Sequence, residues 1–314
     1  MTSDHHHHVT GPGLSRRKWW DAVKAVYMEM NDNNLGLISA GIAFYAMLAI
    51  FPTVAGLIAI WGFFADPSEV SMQLHLLRGI IPEQAYRILD NQVTSLITAN
   101  TSTLGWATAA SLALALWSSR AGVEAMTRGL NAIYRERNRL GLRQWTAAFG
   151  ITFLLMGVAL VALASVVILP IVLAVLPLGP LTSWLIASVR WIVALSVIVV
   201  ALGVVYRYGP NRRGARPGWL TPGAMVAVVV WGAVSWGFSF YLSNFGRYNE
   251  IYGALGAFIA LLMWLYFSAF SVLLGASLNA ELELRTREDS TIGPDRPMGE
   301  RKAYVADHLV EPKS

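Results

Sequence analysis

The sequence predicts an all-α polytopic membrane protein with six transmembrane helices and an amphipathic helical segment between the first two. Three observations predict it. Of 314 residues, 55% are hydrophobic and only 14% charged, where soluble domains carry about 25% charged residues. The apolar residues gather in long runs that meet or exceed the roughly 20 residues needed to cross a bilayer. The cations fall in alternate loops. The 12 tryptophans and 27 glycines fit the same class, because Trp collects at membrane interfaces and Gly is more frequent in membrane helices.

The first apolar run, 35–64, exceeds one bilayer crossing and carries Pro52, so a tilt or kink is expected there. The second, 104–119, is marginal in length unless it continues as helix toward Asn131. The third, 147–176, is long and contains Pro170. The fourth runs from about Leu181 to Tyr206, the fifth from about Trp219 to Phe245 and the sixth from about Tyr252 to Ala280. All six are read as helices because unpaired backbone in hydrocarbon is too costly for an open alternative. Between the first two, 68–100 is too polar to span. Its Ile81, Ala85, Ile88, Leu89, Val93 and Leu96 recur at helical spacing opposite Glu83, Arg87 and Asp90, which suits a helix resting on the bilayer or on other helices.

Residues 1–17, with four consecutive histidines at His5 to His8, read as a disordered tail, 18–287 as the six-helix membrane domain, and 288–314, charged and Pro-containing, as a mostly disordered tail. No short apolar core followed by a small-residue cleavage site opens the chain, so a cleaved signal peptide is not expected.

Loop charges give the orientation. Arg16, Arg17, Lys18 and Lys24 precede the first span. Arg120, Arg128, Arg135, Arg137, Arg139 and Arg143 follow the second, and Arg207, Arg212, Arg213 and Arg216 follow the fourth. The alternate loops hold few cations, so the positive-inside rule puts both termini in the cytoplasm. The arginines of 207–216 are accordingly a topology signal, with Arg207, Arg212 and Arg213 candidate contacts for anionic lipid headgroups. Membrane lipids, and other envelope proteins, are the partners this reading implies. Nucleic acid is not among them.

Four stretches carry a family resemblance: "SAGIAFYAMLAIFPTVAGLI" at 39–58, "GLNAIYRERNR" at 129–139, "VVYRYGPNRR" at 204–213 and "FYLSNFGRYNEIYGALGAFIALLMWLYFSAFSVLLGASLNAELE" at 240–283. The chain resembles the YihY/BrkB family of bacterial inner-membrane proteins. The resemblance implies six membrane helices with both ends inside. Members have been labelled ribonuclease BN and linked with serum resistance and envelope processes, yet the family implies no settled biochemical activity.

A metal nuclease needs convergent His, Asp and Glu ligands. His75 and His308 are the only histidines outside the N-terminal tail, and Glu124, Glu250, Glu281 and Glu283 are dispersed. No enzyme is therefore expected. Cysteine is absent and no Walker-type loop is present, so no thiolate metal site or cofactor is expected either.

Transport or accommodation of a lipid-like molecule would draw on polar groups and breaks inside the apolar runs. Arg190 lies about nine residues inside the fourth span, roughly 13 Å along it, where it either binds a headgroup phosphate or carboxylate or snorkels to the outer interface. Tyr45, Asn279 and Glu281 are further candidate contacts for substrate or lipid, the last two equally readable as a helix end emerging into headgroups. Pro52 marks a kink, and Gly253 and Gly256 permit close helix packing. A non-transporting envelope scaffold is the alternative function.

Overall fold

In the computed structural model, residues 16–64, 101–175, 182–212, 221–244, 248–286 and most of 289–310 are described. Among them every regular element is helical: α1 (Arg16–Asp32), α2 (Leu35–Phe64), α3 (Thr101–Ile133), α4 (Leu142–Val175), α5 (Thr182–Tyr208), α6 (Pro222–Asn244), α7 (Tyr248–Glu283) and the short α8 (Tyr304–Asp307). The apolar runs become α2 to α7. The second run does continue as helix, to Ile133. The amphipathic segment expected at 68–100 lies outside the described residues.

Contacts divide the chain into two compact units, Ala43–Gly122 and the remainder, Met1–Ile42 with Val123–Ser314. In the smaller unit α2 and α3 bury Ala43, Met47, Ala49 and Ala115. A Cβ on Gly122 would stand 3.5 Å from the Tyr45 Cβ, which brings the two helices together at that point. Pro52 sits inside α2, which runs unbroken through it.

In the larger unit α6 packs on α7, α4 on α5, α1 on α7, and α5 on α6. Its core is centred on Leu35, Leu130, Ile133, Leu202, Val205, Ala227, Leu273, Ala276, Ala280, Leu284 and Val305. Small residues fill the seams: Ala224, Ala227, Ala269, Ala276 and Ala280 are all buried. Large apolar side chains point outward instead. Val229, Trp236 and Phe240 on α6, and Ile259, Met263 and Phe267 on α7, are exposed. Small inside and large apolar outside is the arrangement of helices whose solvent is lipid, because association there comes from close backbone packing rather than from expelling water. Two stretches among the described residues are long and apolar enough to cross a membrane, Pro222–Tyr241 and Phe258–Glu283. The bent pair Arg16–Asp32 and Leu35–Ile50, at 67°, makes a third if taken as one span.

The α6–α7 hairpin is antiparallel with a regular register. At one end Gly223 faces Gly275, so closely that a Cβ on Gly223 would lie 1.9 Å from the Gly275 carbonyl oxygen. About 12 Å farther along, Trp231 Nε1 donates to Ser268 Oγ at 3.1 Å. One turn beyond, Trp264 Nε1 donates to Ser235 Oγ at 3.2 Å. The reciprocal Trp–Ser bonds satisfy two indole N–H groups that would otherwise be unpaired in an apolar surround.

Candidate functional site

The polar groups of the larger unit converge where α3, α5 and α7 end. α3 stops in a Schellman turn: the Glu136 N–H donates to Asn131 O at 2.8 Å and the Arg135 N–H to Ala132 O at 3.2 Å. Arg135 takes the left-handed position, φ 56°, usually filled by glycine. Its side chain is held on both sides, by Glu29 at 2.7 Å and over the Tyr304 ring at 5.8 Å. These contacts offset the steric cost of a Cβ in that conformation.

From this turn the α3 residues grip the end of α5. Asn131 Nδ2 donates to Asn138 Oδ1 at 2.8 Å, while Asn131 Oδ1 accepts the Asn211 N–H at 2.7 Å. Arg139 donates to the carbonyls of Gly209 and Pro210, both at 3.0 Å. Its cation thus neutralises carbonyls left without partners at a helix C-terminus. Gly209 is required by space: a Cβ there would lie 2.4 Å from the Val205 carbonyl oxygen, which is backbone, and 2.4 Å from Leu130 Cδ1.

Arg212 then ties α5 to α7. Its two terminal nitrogens donate to the two Glu283 carboxylate oxygens, each at 2.8 Å. The guanidinium lies 4.9 Å from the centre of the Tyr134 ring, and its side chain is only 3% exposed. Burial pushes the Tyr134 phenol well above its ordinary pKa, so it stays neutral and offers the cation its ring face. Burial acts to lower the Arg212 pKa, but the Glu283 carboxylate more than offsets it. Ser290 Oγ also donates to Glu283. Nearby, Glu124 accepts from Arg128 at 2.5 Å and from Gln144 at 2.7 Å. It borders a cavity of about 10 Å³ lined also by Asn131, Asn138 and Arg139, about the room one water needs.

The C-terminal segment closes over this hub. Where composition led to the expectation of a mostly disordered tail, Val305 is fully buried against the core and the Val310 N–H donates to Leu284 O at 2.8 Å. Local bonds neutralise its polar groups. Asp289 accepts from Thr291 N–H and Oγ1–H, and Asp307 accepts from the N–H groups of Gly299 and Arg301. The Tyr304 N–H donates to Glu136 Oε1 at 2.7 Å. Burial raises the Glu136 carboxyl above the usual carboxylate range, an effect this bond reduces.

Asn279 works at the α6 end. Thr221 caps α6 by accepting the Ala224 N–H at 3.1 Å, with Pro222 in the first helical position. Asn279 of α7 completes the cap, accepting the Gly223 N–H at 2.8 Å and donating to Thr221 Oγ1 at 2.9 Å. Glu281, buried, pairs with Arg285, whose Nη2 reaches the Asp21 carbonyl of α1 at 3.3 Å.

The structure therefore gathers Arg212 with Glu283, and sets Asn279 and Glu281 on the same end of α7, each bonded to protein. Headgroup contact by Arg212 in this arrangement would require breaking its ion pair. Arg207 remains half-exposed, 5.5 Å from the Tyr208 ring centre. Arg190 lies on α5, but its side chain falls outside the described residues, as do Arg213 and the surroundings of Gly253. Tyr45 and Gly256 are half-buried, away from the hub residues in sequence. Reading from sequence missed Tyr134, Asn131, Asn211, Glu283 and the Gly223–Gly275 contact. Gly275, Asn279 and Glu283, spaced by four on one helix face, carried the available signal.

Comparison with known proteins now decides the family. The profile described as virulence factor BrkB matches residues 26–299, a range that contains Asn131, Tyr134, Arg139, Arg212, Asn279 and Glu283. The chain belongs to the BrkB family. Among similar proteins, the "Putative ribonuclease-like protein YfkH" of Bacillus subtilis (strain 168) is 28% identical over 260 residues, covering 79% of this chain and 90% of that protein. A UPF0761 membrane protein of Xanthomonas campestris pv. campestris (strain B100) is 43% identical over 134 residues, 42% of this chain and 31% of the relative. UPF0761 membrane protein XAC0937 of Xanthomonas axonopodis pv. citri (strain 306) gives the same identity and coverage. This chain thus aligns with about a third of the length of those Xanthomonas proteins. No solved structure matches. The family assignment thus falls on a chain whose described residues include two helices long and apolar enough to cross a membrane.

Proposed function

We propose that this BrkB-family chain is a six-span inner-membrane protein, both termini cytoplasmic, that moves or accommodates a lipid-like amphiphilic molecule in envelope maintenance. Helices α2 to α7 are 30, 33, 34, 27, 23 and 36 residues long. Each is therefore about 34 Å or longer, against a hydrocarbon core of about 30 Å. The alternating arginine loops supply the orientation.

The observation that carries the functional reading is the separation of polarity along the larger unit. Ion pairs and caps concentrate at one end, on Arg212, Glu283 and Asn279, while large apolar side chains cover the outward faces of α6 and α7. A molecule with a charged head and an apolar tail matches that division. Arg190, Arg207 and Arg213 are the proposed contacts for it. The scaffold alternative draws on one specific fact: Asn279 and Glu281 already have protein partners. No enzyme is proposed. The ribonuclease-like wording belongs to a relative 28% identical.

The test is flux in vesicles that contain only the purified protein. A headgroup-labelled fluorescent phospholipid should exchange between leaflets faster than in protein-free vesicles. Activity should fall in the order parent, Arg190→Lys, Arg190→Ala, because Lys keeps the charge but loses the two-pronged geometry. Flux equal to that of empty vesicles would favour the scaffold. Full activity in Arg190→Ala at equal abundance would remove Arg190 from the site.

A further inference from the structure

Helix α1 has two unlike faces. One, with Ala22 and Val26 buried and Trp19 and Met30 beside them, packs on Leu278 and Leu282 of α7. The other leaves Trp20 61%, Tyr27 79% and Met28 70% exposed. With about 100° per residue, Val23, Arg16, Tyr27, Trp20, Lys24, Arg17 and Met28 occupy one arc of about 140°. That arc contains three cations; the nearest carboxylates, Asp21 and Asp32, lie just beyond its edge at Met28. Lys24 stands 5.7 Å from the Trp20 ring centre, and Arg16 and Arg17 rim a shallow, open apolar groove with Trp20 and Val23.

We infer that this face of α1 lies in the inner leaflet and binds the headgroups of anionic lipids. Charge complementarity selects the occupant: three cations fringe two aromatic rings, the composition that lets a helix sink its apolar side to the headgroup boundary while its cations meet phosphate. Direction agrees independently. α1 is bent by 67° from Leu35–Ile50, so when α2 crosses the bilayer steeply, α1 runs close to the membrane plane. The inference rests on the membrane reading of α2, but not on transport.

Because the chain has no cysteine, a single Met28→Cys carries an environment-sensitive fluorophore unambiguously. The full-length protein is reconstituted in vesicles of neutral phosphatidylcholine, and in vesicles containing about one-third phosphatidylglycerol. Flotation with the vesicles first establishes membrane insertion, so failure of the membrane reading would be seen separately. In the anionic vesicles the label should shift to the blue and be quenched by spin-labelled lipid rather than by aqueous iodide. Arg16→Gln, Arg17→Gln and Lys24→Gln together should weaken the preference for anionic lipid by roughly fivefold per cation removed, and the Lys versions of the two arginines should keep it. A label that responds equally to both vesicles, or that remains iodide-quenched, would overturn the inference. Shielding from both quenchers would also overturn it, because a protein surface would then be covering the face.

Discussion

Replacing Gly223 by alanine should lower the thermal stability of the detergent-solubilised protein more than any other single methyl on α6. The added Cβ would lie 1.9 Å from the Gly275 carbonyl oxygen and 2.6 Å from Asn279 Cγ, far inside contact distance. Neither partner can turn away: one is backbone, and the other is held by the bonds that cap α6. The helices must part, and parting releases those bonds. Overpacking alone costs about 1–3 kcal/mol, and loss of an N-terminal cap adds about 0.5–2 kcal/mol. Gly275→Ala should behave alike, since its Cβ would lie 2.3 Å from Gly223 O and 2.5 Å from the Tyr206 hydroxyl, which donates to Val272 O. Gly232→Ala is the internal control. Nothing lies within 4 Å of its Cβ position, so it should leave the melting temperature unchanged or slightly raised by better helix propensity. Equal effects at Gly223 and Gly232 would refute the close approach.

Arg212 and Glu283 should lose stability steeply when either is replaced alone and much less when both are replaced. The pair is bidentate at 2.8 Å and largely buried, so Arg212→Ala strands a carboxylate and Glu283→Ala strands a guanidinium, each at a cost of about 3–5 kcal/mol. For a chain of this size that corresponds to a fall in melting temperature of roughly 6 °C or more. Arg212→Met with Glu283→Leu removes both charges and keeps apolar bulk, and should recover most of the loss. Arg212→Lys should fall between, because a lysine supplies charge without the fork or the planar stacking on Tyr134. Additive losses in the double variant would mean that the two side chains do not act as a pair.

The helices were legible in the sequence because lipid imposes a simple rule, a long apolar run with its backbone bonded internally. The 35–64 run coincides with α2, and α5 to α7 begin and end within a few residues of expectation. The hub was not legible for an equally physical reason. Charge counting treats arginines alike, whereas Arg212 finds its partner 71 positions away and Gly223 its capping Asn279 56 positions away. Nothing local announces such pairings. α1 escaped notice because its apolar residues divide between two faces, and no long apolar run results. The segment after Glu283 misled in the opposite sense. Its Asp, Arg and Pro content suggests disorder, but Asp289 and Asp307 spend their charges on nearby N–H groups, which leaves Val305 free to bury.

The absence of cysteine makes the proposed placement of the hub at the cytoplasmic base of the membrane domain directly measurable. Single cysteines at Arg137 and Lys302, both exposed, and at Arg247 in the loop expected outside, are treated in intact cells whose outer barrier admits a membrane-impermeant maleimide to the inner membrane. Arg137→Cys and Lys302→Cys should react only after the inner membrane is opened, and Arg247→Cys should react before. Labelling of Arg137→Cys in intact cells, at a rate matching Arg247→Cys, would place the hub on the outer face and contradict the account.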